Sequence, residues 1–190
     1  MKKQKNSIGV THAEHPPLQY FKLVSEAFAP EWATEHSGCF DLRACLVPGT
    51  SITVYRETNE KVHNTVGRQM IEDQTVKSYL NIFAGERVLV PTGLVLDIPL
   101  GYKVDLYARS GLALKQGLVL ANNVGKIDSD YVDPTFIILH NTSTTMATIF
   151  HGDRIAQGEM VTDIGYDLLE TLDKPGLKTD RKGGLGSTGI

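Results

Sequence analysis

Apolar and polar positions alternate along this chain in short runs, cut by glycine, proline, asparagine and aspartate. The stretch GERVLVPTGLVLDIPLGYKVDLYA, residues 85–108, holds three such runs: RVLV, LVLDI and KVDLYA. Turn signals at Pro91-Thr92-Gly93 and Pro99-Leu100-Gly101 separate them. Val104, Leu106 and Ala108 alternate with Lys103, Asp105 and Tyr107, the period of two that a half-buried strand requires. LQYFKLVSEAFAP predicts a strand and a short turn, and TFIILHN and MATIFHGDRIAQGEMV predict further strands. VLANNVG reads as a hairpin, because Asn122 and Asn123 tolerate left-handed turn angles. No long segment carries a convincing helical period. Many short strands at turn-punctuated spacing predict an all-β sandwich or barrel.

Three stretches fall outside that pattern. Residues 1–17 are polar and end in His15-Pro16-Pro17, as a flexible N-terminal arm would. Residues 49–82 are polar and weakly patterned, and read as an inserted excursion with its own hairpin or short helix. Residues 173–190 are rich in Gly, Lys and Thr without an apolar face, which predicts a C-terminal arm after a domain spanning 18–172.

Composition narrows the classes. The chain has 190 residues, 41% of them hydrophobic and 22% charged, enough for one domain with a substantial core. Its 19 basic and 22 acidic side chains give a net charge of −3, which argues against direct nucleic-acid binding or an anionic membrane surface. The two cysteines, Cys39 and Cys45, supply neither a four-ligand zinc set nor a disulfide framework, and read as reduced buried thiols. The basic start MKKQKNSIGV lacks a following apolar region, and no apolar run reaches membrane-spanning length. These features lead to the expectation of a soluble cytoplasmic protein.

Several polar clusters carry candidate chemistry. In YARSGLALKQG, Arg109 offers a fork of donors suited to phosphate, and Ser110 with the backbone around Gly111 suits an anion. In NNVGKIDSDY, Asp128 and Asp130 share one side of an extended segment, and an aspartate beside a cation such as Arg109 is a candidate general base toward water. A turn explains the same residues. Tyr131 offers a flat face for a sugar, or simply packs on its own strand. HGDRIAQGEM brings Asp153, Arg154 and Gln157, and fits a strand whose edge presents polar groups. Asp41 sits between Phe40 and Leu42, where it needs either an arginine or a metal, magnesium being the plausible one. The terminal RKGGLGSTGI has glycines that let backbone approach a ligand closely, and hydroxyls and Arg181 as phosphate donors. Such a tail is ordered by the ligand that it covers.

Taken in order, SGCFDLRA, ARSGLALK, NNVGKIDSDY, GDRIAQ and the final GGLGSTG resemble the five motifs of the trimeric deoxyuridine triphosphatases, the dUTPases. The resemblance covers residues 18–48 and 83–190, with GERVLVPTGLVLDIP in the place of that family's LVPTGL segment. It implies an all-β fold, a β-clip or jelly-roll-like distorted β-barrel with a flexible C-terminal arm. It implies a homotrimer with shared active sites, each closed by the tail of another chain, and hydrolysis of dUTP to dUMP and pyrophosphate with Mg2+ on the triphosphate. By the same resemblance Asp128 activates the water that attacks the α-phosphorus. Arg109 supports the phosphates and that aspartate, and Ser110 with Gly111 contacts the phosphates. Asn122, Gly125 and Ile127 match the hairpin that reads uracil and deoxyribose, and Tyr131 matches the tyrosine that leaves no room for a 2′-hydroxyl. Asp41 and Gln157 match residues reaching the metal through its waters or holding the phosphates. Arg181, Gly184, Leu185, Gly186, Ser187 and Thr188 match the tail that covers the nucleotide.

The chain departs from that pattern in places. Leu185 stands where the family usually has a phenylalanine that stacks on uracil. Arg181 lies one residue nearer the glycines than is common, and Val132-Asp133-Pro134 follows Tyr131 in place of Arg-Gly. The excursion at 49–82 lies outside the family core and is a candidate surface for a regulatory protein partner. Such elaboration would suit a phage or viral version working in host cytoplasm. The rival enzyme is a dCTP deaminase on a similar fold. It needs a glutamate base, and none lies between Tyr131 and Glu159; Leu114 stands where that enzyme has an arginine.

Overall fold

The computed structural model describes residues 16–71, 75–176 and 178–180. The regular elements of the described chain are strands apart from one short helix, and the strands form four sheets. The first pairs β1 (Gln19–Lys22) with β9 (Leu94–Asp97). A second runs β12 (Gly125–Ile127), β10 (Tyr102–Tyr107), β15 (Arg154–Thr162), β3 (Phe40–Arg43) and β2 (Glu31–Trp32). A third runs β11 (Leu118–Leu120), β13 (Phe136–Asn141), β8 (Arg87–Pro91), β4 (Ser51–Tyr55) and β5 (Lys61–Thr65). The last is β14 (Ala147–Phe150), β7 (Val76–Ile82) and β6 (Gly67–Met70). This is the expected all-β class, consistent with a β-clip or jelly-roll-like barrel.

Alternation builds the core. Val88 and Val90 of β8, Leu94 and Leu96 of β9, Val104 and Leu106 of β10, and Ile137 and Leu139 of β13 all point inward and are buried. Burying each such side chain contributes about 1.5–3 kcal/mol, an upper figure because an unfolded chain already hides some apolar area. At the Pro91-Thr92-Gly93 turn the chain passes from the third sheet to the first. Thr92 is fully buried there, its hydroxyl donating to the Thr135 carbonyl at 2.7 Å and accepting from the Leu94 N–H at 3.2 Å.

Several expectations change. VLANNVG is not a hairpin: β11 pairs with β13 and β12 with β10, so the loop crosses between sheets. Asn123 nonetheless takes the left-handed angle, at φ 59. GDRIAQ does not lie on an edge, since β15 runs between β10 and β3. The excursion at 49–82 carries hairpins of its own, as read from the sequence, and they pack into the core. Its two hairpins, β4–β5 and β6–β7, supply Ile52, Val54, Leu80 and Ile82 to the core, and β4 pairs directly with β8. A helix escaped the pattern: α1, Ser110–Gln116, buries no residue and is too short to display a period. Both cysteines are free, as expected, but only Cys45 is buried; Cys39 is half-exposed. No helix among the described residues is long and apolar enough to cross a membrane.

Candidate active site

Two clefts collect several of the polar residues singled out above, while Asp128, Asp130, Asp153 and Arg154 line neither. The first, about 410 Å³, is lined by Asn122, Gly125, Ile127 and Tyr131 together with Leu106 and Phe136. Pairing of β12 with β10 sets Ile127 against Val104 and Gly125 against Leu106. A side chain at 125 would come within 3.1 Å of the Leu106 Cβ and 3.3 Å of the Asn122 Nδ2, so glycine keeps the backbone at the cleft wall accessible. Beyond β12 the chain turns: the Tyr131 N–H donates to the Asp128 carbonyl at 3.1 Å. Asp128 and Asp130 therefore sit in a turn, not in the extended segment that would have put them on one side. The Tyr131 hydroxyl donates to the Pro134 carbonyl at 3.0 Å, which pins the ring to its own loop. The Asp128 carboxylate is exposed and makes no ion pair among the described residues.

A second cleft, about 380 Å³, is lined by Ser37, Cys39, Asp41, Arg109, Ser110, Gly111 and Gln157. Register assembles it. Gln157 of β15 faces Asp41 of β3 on one side and Tyr107 of β10 on the other. Arg109 follows the end of β10 and precedes α1, so Ser110 and Gly111 open the helix. Gly117 ends that helix at φ 66, and its N–H reaches back to the carbonyls of Ala113 and Leu112.

Asp41 is the electrostatic centre of this cleft. Its Oδ1 lies 3.0 Å from the Arg109 Nε, and its Oδ2 lies 3.0 Å from an Arg154 Nη. Arg109 also donates to the Arg154 carbonyl at 3.0 Å. Two guanidinium charges against one carboxylate leave the cluster with net positive charge, which suits an anion. Burial first, then the charges of Glu159 and Asp41, push the Cys39 thiol up, so it stays protonated and is a poor nucleophile. The turn into β15 is tied to the end of β3: Arg43 donates to the Gly152 carbonyl at 2.8 Å, and His151 Nδ1 accepts from the Leu46 N–H at 3.0 Å. These bonds fix where Arg154 starts.

Within one chain Arg109 meets Asp41 and not Asp128, and the two clefts share no lining residue. Arg154 does not line the cleft but joins it through Asp41 and Arg109; its closeness to Gln157 along β15 was the signal. Among the described residues no three His, Cys, Asp or Glu side chains gather as a metal cluster. Arg181, Gly184, Leu185, Gly186, Ser187 and Thr188 lie outside the described residues.

A cleft with a largely apolar wall and a separate arginine-bearing cleft, both on an all-β fold, suit a small anionic molecule. The dUTPase family model matches residues 71–189. A deoxyuridine 5′-triphosphate nucleotidohydrolase from Dinoroseobacter shibae is 45% identical over 103 residues, covering 54% of this chain and 66% of its own length. One from Chlamydia abortus is 32% identical over 170 residues, covering 88% of this chain and 95% of its own. Among solved structures, the Staphylococcus bacteriophage 80alpha dUTPase with dUPNHPP matches with a TM-score of 0.68 at 20% identity, covering 93% of this chain and 100% of that one. The Streptococcus mutans dUTPase matches at 0.56 and 24%, over 78% of this chain and 98% of that one. These two likenesses speak to the fold. The chain belongs to the dUTPase family and is a dUTP diphosphatase.

Proposed function

We propose that the first cleft receives the deoxyuridine and the second the triphosphate, and that Asp128 is the general base of the hydrolysis. The observation that carries this reading is the gathering of residues from four separated stretches into two clefts of complementary chemistry. Asn122 and the backbone from Gly125 to Ile127 present donors and acceptors to the uracil edge. A cytosine there would leave buried polar groups unpaired, at about 1–3 kcal/mol each. Tyr131, held by Pro134, closes the space that a 2′-hydroxyl would need. Arg109 and Ser110 hold the phosphates, with Gly111 letting them approach. Asp128 takes a proton from a water aligned on the α-phosphorus, and pyrophosphate departs from dUMP. Arg181, Ser187 and Thr188 add donors to the phosphates, while Gly184, Leu185 and Gly186 close the tail over the nucleotide and exclude water.

Magnesium fits this arrangement only at one remove. Both Asp41 oxygens already accept from arginine, so the carboxylate has no free oxygen for direct ligation. Each oxygen keeps a lone pair, and with Gln157 it can accept from a metal-bound water. The ion's contribution when bound is to neutralise phosphate charge.

Asp128 next to Ile127 at the rim of the first cleft, with Arg109 in the second, supports a homotrimer in which neighbouring chains complete each site. The role that follows is to keep uracil out of DNA and to supply dUMP for thymidylate synthesis, in the cytoplasm. The test is incubation of the wild type and Asp128→Asn with dUTP, dCTP, dTTP and UTP in the presence of Mg2+. Wild type should release pyrophosphate from dUTP alone and no ammonia from dCTP. Asp128→Asn should lose about 10²–10⁴-fold in kcat and still bind nucleotide. Ammonia from dCTP, or an undiminished rate in Asp128→Asn, would overturn the assignment.

A further inference from the structure

One carboxylate in the phosphate cleft holds two guanidiniums, and that pairing gives Asp41 a task other than touching a metal's water shell. The inference rests on the reading that a triphosphate occupies this cleft. Asp41 is buried, 7% exposed, on β3. It ties Arg109, which precedes α1, to Arg154, which opens β15, each at 3.0 Å and each on its own oxygen. Arg109 then reaches the Arg154 carbonyl as well. Three segments distant in sequence are joined through one side chain. A guanidinium has five N–H donors, so both arginines keep unused donors for a ligand.

We propose that Asp41 is a positioning residue for the polyphosphate: it holds Arg109 and Arg154 side by side in the geometry that phosphate oxygens meet. Two competing effects make this testable by sign. Removing the Asp41 charge makes the cluster more positive, and by Coulomb attraction alone an anion should bind more tightly. Removing it also frees two long side chains that repel each other, and a ligand must then order both. Positioning predicts that the second effect wins.

The experiment is calorimetric binding of inorganic pyrophosphate to the full chain, wild type and Asp41→Asn, with and without Mg2+. The expected result is about tenfold weaker binding in both conditions. A second background guards against a folding defect. With Arg154→Gln already present, adding Asp41→Asn should weaken binding by no more than about threefold, because one of the two side chains to be positioned is gone. Unchanged or tighter metal-free binding by Asp41→Asn overturns the proposal. So does a loss seen only with Mg2+, which would make Asp41 a ligand of the metal's waters. Additive effects in the double variant, or no pyrophosphate binding by the wild type, also overturn it. Failure of the wild type to hydrolyse dUTP, with pyrophosphate binding as described, counts against the functional reading alone.

Discussion

Tyr131 shows how much of a specificity device lies in its immediate neighbours. Its hydroxyl is spent on the Pro134 carbonyl three residues along, and its N–H on the Asp128 carbonyl three residues back. Pro134 biases Asp133 toward extended angles, which narrows the loop's choices. The ring is held by a short closed circuit, not by the core. Tyr131→Phe keeps the ring and removes one bond, worth about 0.5–1.5 kcal/mol. The expected outcome is a several-fold fall in the preference for dUTP over UTP, read as the ratio of their kcat/KM values. A ratio that does not move would show that the bond to Pro134 has no part in sugar selection. At this scale the sequence was most readable. Asn122, Gly125, Ile127 and Tyr131 entered as one group through the resemblance, and being close along the chain they line one cleft. The alliance of Asp41 with Arg109 and Arg154 was legible only as a need for some partner. Its members are 68 and 113 positions from the aspartate (109 − 41 and 154 − 41), and nothing local specifies which arginine answers.

The elements tell a complementary story. Strands with period two were readable because one face of each is buried, as in β8 and β10. The helix α1 was not, because seven residues with none buried carry no stripe. Its one legible mark is Gly117. The left-handed angle there stops the helix, and the Gly117 carbonyl accepts from both the N–H and the hydroxyl of Thr142, at 2.9 and 2.8 Å. A Cβ at 117 would stand 2.8 Å from the Ser143 Cβ and 3.0 Å from the Ser143 N. Gly117→Ala therefore combines an unfavourable φ with a backbone clash, and should destabilise the fold by about 1–3 kcal/mol. Urea unfolding is the measurement, and a midpoint equal to wild type would mean that the turn relaxes freely. Because α1 begins at Ser110, the same variant should raise KM for dUTP. The excursion at 49–82 showed its hairpins but not its burial, for another reason. Thr, Glu, Asn, Lys and Arg are frequent in it, which hides that alternate positions such as Ile52 and Val54 reach the core.

At the scale of the whole molecule, the separation of the two clefts sets a requirement. Asp128 follows β12 and Arg109 precedes α1, the clefts beside them have no lining residue in common, and Asp128 has no cationic partner in its own chain among the described residues. β13 adds a second sign. Ile137 and Leu139 are buried, yet the alternate positions are also apolar, with Phe136 and Ile138 each 37% exposed. A strand apolar on both faces is the pattern of a strand covered on both sides, and in a single chain the outer side of this one is open, with Phe136 and Ile138 forming part of the wall of the first cleft. Both features suit copies packed around a symmetry axis, each lending one cleft to a neighbour. The consequence can be measured with two inactive proteins. Asp128→Asn lacks the base and Arg109→Gln lacks the phosphate cation, so each alone should be nearly dead. When the two are refolded together in equal amounts, a site drawing Asp128 from one chain and Arg109 from the next is intact when the first is Arg109→Gln and the second Asp128→Asn. Random assembly yields that combination in about a quarter of interfaces, one half times one half. Activity should therefore return to about a quarter of wild type in the mixture. A mixture as inactive as its components would place both residues in a site within one chain, and the shared-site assembly would have to be abandoned.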